Sequence, residues 1–225
     1  MEVIVIVDAF RAFATACYIL RKNPLIYFFT NECNVVRKLK KSNPNALLIG
    51  KPEIGSNLLY TIPNSPTRVQ EINLCGQSVI HRTTAGGFGA KLYKAPTIVL
   101  GASFVNAKAT ANAILRINPS YLKIIPMGYE AKSPSLEDDL CTTYIHSLLE
   151  GNPFVLEDCI EKLRKGPGKY FFGPDQNQYP KKDFDYCLAF NTFPFPIFIE
   201  NCGDFAILRK RASVSLKESI SPMMT

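Results

Sequence analysis

The sequence predicts an α/β protein in which a mainly parallel sheet lies between layers of helices. Short apolar runs rich in β-branched residues alternate with segments whose apolar residues recur at helical spacing, a pattern typical of βαβ units. The opening run, residues 2–7, is continuously apolar after its first residue, as in a strand that is covered on both faces. We therefore predict a layered α/β/α fold, and polar clusters that follow its strands become candidates for a site.

The first fifty residues contain five predicted elements. A helix over 9–22 follows the opening strand, because its apolar residues lie three or four positions apart and basic residues suit its end. An apolar run predicts a second strand at 25–30, and residues 32–41 form a helix with a basic outer face. A third strand at 46–49 ends at Gly50.

A long polar loop rich in Gly, Pro, Ser and Asn occupies residues 51–66, and loops of this length in a compact domain are more often functional than incidental. The same two apolar patterns predict the later elements. These are strands at 78–82, 97–100, 122–126 and around 206–209, helices at 106–117, 136–149, 156–164 and 182–190, a glycine-rich turn at 83–89 and a polar loop at 127–135.

Length and composition bound the domain organisation. The chain has 225 residues, of which 47% are hydrophobic and 20% charged, so that it can bury a sizeable core and is not a disordered protein. It is one and a half times the usual domain of ~150 residues. We expect a single domain over 1–225, or two closely packed lobes at about 1–150 and 151–225.

The net charge of +7 is concentrated in two segments. Residues 21–51 carry a balance of +6 and residues 205–225 a balance of +3, while the rest of the chain sums to −2. A solvated basic face explains this pattern, because the exposed aromatic residues or known module of a nucleic-acid interface are missing. We do not expect nucleic acid as a partner, although a nucleic-acid module that uses 21–51 remains a rival hypothesis.

Cysteine usage and the N-terminus indicate a cytoplasmic protein. The seven cysteines are widely spaced and include no CxxC pair, so we expect reduced and largely buried thiols. The chain opens without the basic segment of a signal peptide, and no apolar run approaches the ~18 residues of a membrane span. His81 and His146 are the only histidines, which excludes a multi-histidine metal site.

The common phosphoryl-transfer signatures are absent. The chain has no GxxxxGK[ST] loop and no Cys-x5-Arg, Asp8 is not followed by a second aspartate two positions on, and His81-Arg82 reverses the order of Arg-His-Gly. Any phosphate chemistry must therefore depend on carboxylates and a metal ion.

Asp8 and Arg11 form the first polar cluster, directly after the first strand. A carboxylate there can hold Mg²⁺ or attack phosphorus, and an arginine in the first helical turn can bind phosphate. The alternative is that Asp8 only caps the helix, a role worth about 1 kcal/mol.

Residues 82–89, after the fourth strand, form the second cluster. Hydroxyl groups and glycine-exposed N–H groups can make an anion-binding nest, and the alternative is an ordinary flexible turn. The candidate substrate-binding residues are Arg82, Thr83, Thr84, Gly86 and Gly87.

Three consecutive carboxylates, Glu137, Asp138 and Asp139, start a predicted helix and form the third cluster. They favour the helix dipole, which is a sufficient structural explanation, but they also repel one another, and Mg²⁺ would relieve that repulsion. We predict a Mg²⁺ site made by these three residues and Asp8. One ion can bind them only if the clusters lie within ~10 Å of each other.

Four further residues give weaker signals. Asn64 can position a substrate or belong to a plain turn, and Glu53 is either a solvated loop carboxylate or a member of the acidic set. We expect His146 to be in the core or partly buried and Cys141 to be a packing residue.

The order of these clusters resembles the 2-phosphosulfolactate phosphatases of coenzyme M biosynthesis. The segments that carry the resemblance are collinear over most of the chain. They are VDAFRAFATA (7–16), IPNSP (62–66), RTTAGGFGA (82–90), LGASFVNAKATA (100–111), PMGYEAKSPSLEDDLCTTYIHSLLEG (126–151) and, more loosely, DFDYCLAFNTFPFP (183–196).

The resemblance implies an α/β layered, Mg²⁺-dependent acid phosphatase that hydrolyses 2-phospho-3-sulfolactate to 3-sulfolactate. It also implies a small anionic phosphomonoester as the partner, and it leaves monomer and homodimer open. The positions that fall on family motifs are Asp8, Arg11, Asn64, Ser65, Thr84, Gly86, Ser103, Asn106, Glu137 and Asp138. Among them we assign Asp8, Arg11, Glu137 and Asp138 to catalysis, and Asn64, Ser65, Ser103 and Asn106, with the second cluster, to substrate binding.

Three places depart from the family pattern. Phe13 and Ala14 stand where small hydroxyl residues are usual, and Gly87 follows Gly86 where a threonine is frequent. The usual Gly-Glu of the long loop is here Gly50-Lys51-Pro52-Glu53, and whether Glu53 replaces that acid stays open. These departures support an alternative function, a catalytically altered member of the family that binds an anion or acts in regulation.

Overall fold

The computed structural model describes residues 1–50 and 59–210. Its strands are β1 (Glu2–Val7), β2 (Ile26–Thr30), β3 (Leu47–Gly50), β4 (Ser78–Arg82), β5 (Ile98–Ala102), β6 (Tyr121–Pro126), β7 (Ile197–Asn201) and β8 (Ala206–Lys210). Its helices are α1 (Ala12–Arg21), α2 (Cys33–Ser42), α3 (Pro66–Gln70), α4 (Ala85–Gly89), α5 (Ala107–Ile117), α6 (Leu136–Glu150), α7 (Leu156–Lys165) and α8 (Lys181–Cys187). Glu53 and most of the predicted long loop lie outside the described residues.

The described strands form one eight-stranded sheet in the order β3-β4-β2-β8-β7-β5-β1-β6. The outer strands pair in parallel, as β3-β4-β2 on one side and β5-β1-β6 on the other. The β7–β8 hairpin joins these halves through antiparallel pairs. The predicted α/β fold with a mainly parallel sheet is confirmed.

The two parallel halves run in opposite directions, because three antiparallel steps separate β5 from β2. In a fully parallel sheet, all strands have their carboxyl ends at the same edge. Here β1 and β4 run in opposite directions, so a shared edge does not bring their carboxyl ends together. Helix α4, which follows β4, contacts both β1 and β2 and thereby carries the segment after β4 to β1.

Helix α1 is the centre of the larger core. Every residue from Ala12 to Leu20 is buried, as expected for a helix that is surrounded by protein on all sides. The Phe13 ring lies against Gly101 of β5 and also stacks at a tilt on Phe29 of β2, with 5.5 Å between the ring centroids. One side chain of α1 thus packs against both halves of the sheet.

The opposite face of the sheet is covered by two helical groups. Helices α5 to α8 pack on the β1–β5 side, through a cluster that includes Val5, Leu100, Ile114 and Ile145. Helix α2 covers the β2–β4 side with Val35, Val36 and Leu39. Helices on both faces produce the predicted α/β/α layering, while the division into one domain or two lobes stays a prediction.

Most predicted elements are present within one to three residues of their expected ends, α4 lies within the predicted glycine-rich turn, and β7 and α3 were missed. No strand is predicted at residues 197–201, whereas β7 starts there directly after Pro196, a position that proline tolerates at a strand end. Helix α3 has only five residues, too few for helical periodicity to show, and it starts with Ser65 as N-cap and Pro66 in its first turn. Within the described ranges, no helix combines the length and the hydropathy needed to cross a membrane.

The packing of α1 predicts a stability difference between two apolar truncations. Phe13→Ala removes a fully buried ring that contacts both halves of the sheet, and we expect the free energy of unfolding to fall by about 3–5 kcal/mol. Leu115→Ala, in the exposed face of α5, should change it by less than about 0.5 kcal/mol. Chemical denaturation of both variants measures the difference, and equal losses would contradict the central role of α1.

Candidate active site

A cleft of about 370 Å³ opens where chain segments that follow β1, β4 and β6 meet. Residues of α6 and of the segment before α8 complete its wall. The lining residues are Asp8, Phe10, Arg11, Asn64, Arg82, Thr83, Thr84, Ala85, Gly128, Tyr129, Glu130, Glu137, Asp138, Tyr170, Gln178 and Tyr179. All three predicted polar clusters therefore contribute to one cleft.

Asp8 is fixed by two backbone N–H groups from different elements. Its Oδ1 accepts a hydrogen bond from Ala12 N–H at 3.0 Å and its Oδ2 from Gly86 N–H at 2.8 Å. Burial raises the pKa of this carboxyl above its ordinary value, although the two hydrogen bonds and Arg11 oppose that shift. Asp8 does cap the start of α1, and it also lies on the cleft wall, so the structural and functional interpretations are both satisfied.

Asp138 is held in the same manner from the other side. Its Oδ1 accepts from Ala9 N–H at 2.7 Å and its Oδ2 from Gly128 N–H at 2.8 Å. Burial and the neighbouring charge of Asp8 raise its pKa well above the usual value. Ala9 is the residue after Asp8, so its hydrogen bond to Asp138 brings the third cluster next to the first.

The other two carboxylates of the third cluster point in different directions. Glu137 lines the cleft, its Oε2 atom is buried without a hydrogen-bond partner among the described residues, and burial raises its pKa. Asp139 is exposed on α6 and does not line the cleft. Because successive helical residues are 100° apart, three neighbours cannot all face one cleft, and the structure does not bring Asp139 to the acidic centre.

Arg11 is a cleft residue that is only 5% exposed. Its Nη1 atom donates to Asp183 Oδ2 at 2.5 Å and to the Gln178 carbonyl at 3.0 Å. The guanidinium lies over the Tyr179 ring at 4.9 Å and near the Phe171 ring at 5.7 Å from the centroid. The predicted phosphate-binding arginine is therefore rigidly supported.

The glycine-rich segment behaves differently from an open nest. Arg82, Thr83 and Thr84 line the cleft as predicted. The Gly86 N–H is already donated to Asp8, and Gly87 packs against the backbone of the residue that ends β2, where a Cβ atom would approach Thr30 C to 2.6 Å. Gly86 thus positions a carboxylate, and Gly87 permits a close packing contact, while neither lines the cleft.

The remaining substrate-binding candidates divide in the same way. Asn64 lines the cleft. Ser65 is fully buried, accepts a hydrogen bond from Arg68 N–H as the N-cap of α3 and donates to Asp183 at 2.9 Å. Ser103 and Asn106 are fully buried in the turn before α5, where Asn106 Oδ1 accepts from Ser103 N–H, and the structure does not place them on the cleft wall.

Neither histidine nor the central cysteine belongs to the cleft. His81 is buried beside Tyr27, whose hydroxyl lies 2.6 Å from Nδ1, and burial lowers its pKa to about 3, so the ring is neutral. Cys141 is buried with a raised pKa, as expected for a packing residue. His146 is exposed on α6, contrary to the prediction, because it faces away from the apolar side of that helix.

Sequence reasoning missed the wall that the last third of the chain contributes. Tyr170, Gln178 and Tyr179 line the cleft, and Asp183 supports Arg11 from behind. The available signals were the aromatic run at 170–172 and the start of the loosely matching segment at 183, but neither has a spacing that indicates a site.

The donors in the cleft fit a Mg²⁺ ion held partly by protein. No group of three or more His, Cys, Asp or Glu side chains in residues 1–50 and 59–210 can enclose an ion by itself. Mg²⁺ commonly uses only one or two carboxylates and completes its shell with water and substrate phosphate. Asp8, Asp138 and the unpartnered Glu137 oxygen are hard oxygen donors whose crowded negative charge a cation would relieve.

A buried acidic centre beside two arginines, at the edge of a layered α/β sheet, has the donors that a site for a phosphate group requires. The sequence profile of the family described as 2-phosphosulpholactate phosphatase matches residues 1–164. The chain belongs to this family, and it is accordingly a phosphatase, a phosphoric monoester hydrolase.

Curated relatives extend the match over nearly the whole chain. A protein of Bacillus subtilis is 24% identical over 214 residues, which cover 93% of this chain and 92% of the relative. A protein of Thermoplasma acidophilum is 24% identical over 220 residues, 97% and 94% of the two chains, and one of Carboxydothermus hydrogenoformans is 29% identical over 201 residues, 84% and 83%. All three are named "probable 2-phosphosulfolactate phosphatase".

The raised pKa of Glu137 predicts a gain of stability on neutralisation. Because the carboxyl has a higher pKa in the folded than in the unfolded protein, stability falls as pH rises through the folded pKa. Without divalent cations at pH 8, Glu137→Gln should therefore raise the free energy of unfolding by up to about 1 kcal/mol, and the gain should vanish near the ordinary pKa of 4.5. Urea denaturation at both pH values measures it.

Asp139→Asn is the matched control, because it removes a charge from the same first helical turn outside the cleft. We expect a small loss of stability from the weaker interaction with the helix dipole. A gain equal to that of Glu137→Gln would show that the cleft does not disfavour the Glu137 charge.

Proposed function

We propose that this chain is a Mg²⁺-dependent phosphatase of a small phosphomonoester, and that its substrate is 2-phospho-3-sulfolactate, released as 3-sulfolactate and phosphate. The observation that carries the proposal is the convergence of Asp8, Asp138 and Glu137 with Arg11 and Arg82 on one cleft. Family membership supports the reaction class, and the names of the relatives support the substrate. Reduced, mostly buried cysteines support a cytoplasmic location.

The residues of the cleft would have three roles, which are binding the phosphate, orienting the rest of the substrate and holding the metal ion. Arg11 and Arg82 would bind the phosphate oxygens and stabilise the charge that develops on them, with the Thr83 and Thr84 segment beside them. Asn64 would orient the rest of the substrate. One or two of the carboxylates Asp8, Asp138 and Glu137 would hold Mg²⁺ together with water and substrate phosphate, and the bound ion would supply Lewis-acid polarisation of a phosphoryl oxygen.

Two roles for Asp8 remain in the proposal. As a metal ligand it would keep both backbone hydrogen bonds, since each carboxylate oxygen retains a second lone pair. As a nucleophile it would attack phosphorus, form an aspartyl phosphate and expel the alcohol oxygen, which takes up a proton. Trapping of a labelled phosphoprotein distinguishes the second role from the first.

The proposal predicts Mg²⁺-dependent phosphate release from 2-phospho-3-sulfolactate in a panel of small phosphomonoesters. Activity should be lost on chelation and return with Mg²⁺. Asp138→Asn should lower kcat/KM on the order of 100-fold or more. The substitution removes the negative charge of this side chain and replaces one of the two oxygens that accept hydrogen bonds from Ala9 N–H and Gly128 N–H.

Asp139→Asn again serves as the control and should retain activity within about twofold. No turnover of any phosphomonoester by a folded protein that still binds inorganic phosphate would contradict the enzyme and support the anion-binding alternative. Turnover of other phosphomonoesters but not of 2-phospho-3-sulfolactate would contradict only the substrate.

A second prediction concerns metal binding without turnover. Millimolar Mg²⁺ should raise the melting temperature by several degrees at pH 8 and much less at pH 5, because the carboxylates, whose pKa values are raised, must lose their protons to bind it. Asp138→Asn should abolish the shift and Asp139→Asn should keep it. A shift of equal size at both pH values would contradict Mg²⁺ binding at this acidic centre.

A further inference from the structure

Asp183 is a fully buried carboxylate directly behind the cleft, and it does not line the cleft wall. Its Oδ2 accepts the short hydrogen bond from Arg11 Nη1, and its Oδ1 accepts from Ser65 Oγ at 2.9 Å and from Thr67 N–H at 2.8 Å. One side chain of α8 thus fixes the residue that precedes α1 and the segment in which Asn64 faces the cleft.

The hydrogen bonds of Arg11 leave one edge of its guanidinium available. Both hydrogens of Nη1 are used, by Asp183 and by the Gln178 carbonyl. A guanidinium has five N–H donors, and within the described part of the chain no acceptor takes the three on Nε and Nη2. Two of them, Nε–H and one Nη2–H, are parallel and form the planar fork that matches a phosphate or carboxylate in a bidentate manner. The rings of Tyr179 and Phe171 fix the plane of that fork.

We propose that Asp183 is a positioning residue that holds Nη1 so that the Nε–Nη2 edge of Arg11 binds the phosphate of the substrate. Asp183 acts through Arg11 and does not touch the substrate, because it is buried behind the guanidinium. The inference rests on the proposed phosphatase function. It adds a residue beyond the part of the chain that matches the family profile.

A purely stabilising ion pair explains the arrangement less well. Burying two charges costs desolvation that their attraction often only offsets, and apolar residues of similar volume commonly stabilise as much. Asp183 lies next to Phe184 in a cluster rich in aromatic rings, a place where an apolar pair would pack. We therefore infer that the Asp183 carboxylate orients Arg11, which an apolar side chain could not do.

The test compares phosphate binding in Asp183→Asn and in the wild-type protein. The carboxamide oxygen can still accept from Ser65 and Thr67, whereas its NH₂ group would meet Arg11 Nη1 and release the guanidinium. Calorimetric titration with inorganic phosphate, in Mg²⁺, should give an affinity about tenfold weaker. In turnover, kcat/KM should fall by at least the same factor, because the fork binds the phosphate group in the ground state and also stabilises the charge that develops in the transition state.

A double-mutant cycle with Arg11→Lys separates positioning from folding. In the Arg11→Lys protein, which lacks the fork, Asp183→Asn should change phosphate affinity less than about twofold. Glu71→Gln is the control, since it breaks the exposed Arg68–Glu71 ion pair at α3 and should leave phosphate affinity unchanged. If Asp183→Asn does not fold, Asp183→Glu, which keeps the charge but moves it, carries the same cycle.

Each outcome bears on the proposal. A folded Asp183 variant that melts earlier but binds phosphate like the wild type would overturn it, and so would an equal loss in the Arg11→Lys background. Wild-type protein that binds no phosphate would overturn both this inference and the proposed function. Wild-type protein that binds phosphate through Arg11 but hydrolyses no phosphomonoester would overturn the proposed function alone.

Discussion

The carboxylate of Asp8 is the interaction on which the site depends. One of its oxygens binds the first turn of α1 and the other binds α4, so a single side chain joins the β1 half of the sheet to the segment that follows β4. Asp138 adds the segments after β1 and β6 through a second pair of backbone N–H groups. Two buried carboxylates thus link three connecting segments, and their raised pKa values reflect the cost of burying them, to which the charge of Asp8 adds at Asp138.

The strand–helix alternation and the three polar clusters could be predicted from sequence because each is a local pattern. Asp8, Arg11 and Asp138 could also be identified as candidates, because they are charged residues directly after a predicted strand or at the start of a predicted helix. The β7–β8 hairpin could not be placed, since pairing between distant segments is set by tertiary packing rather than by a local period. Asp183 was invisible for the same reason: its partners, Arg11 and Ser65, are more than a hundred positions away.

The departures from the family pattern lie mostly in the core. Phe13 fills the space between Gly101 and Phe29, Ala14 is buried in α1, and Gly87 packs on the end of β2. None of the three lines the cleft in the described structure. These substitutions therefore change packing, and they remove one of the reasons for regarding the chain as a catalytically altered member.

The net charge of +7 does not explain how the cleft would bind an anion. The described cleft wall has two arginines against four carboxylates, Asp8, Glu130, Glu137 and Asp138, and Arg11 already has Asp183 as its counter-ion. The lysine-rich face belongs to α2, which covers the sheet elsewhere. Long-range attraction from those lysines is screened over about 8–10 Å at physiological salt. A polyanionic substrate therefore needs positive charge within the cleft itself, and a divalent cation on the acidic centre, together with the oriented edge of Arg11, is the arrangement that these residues can provide.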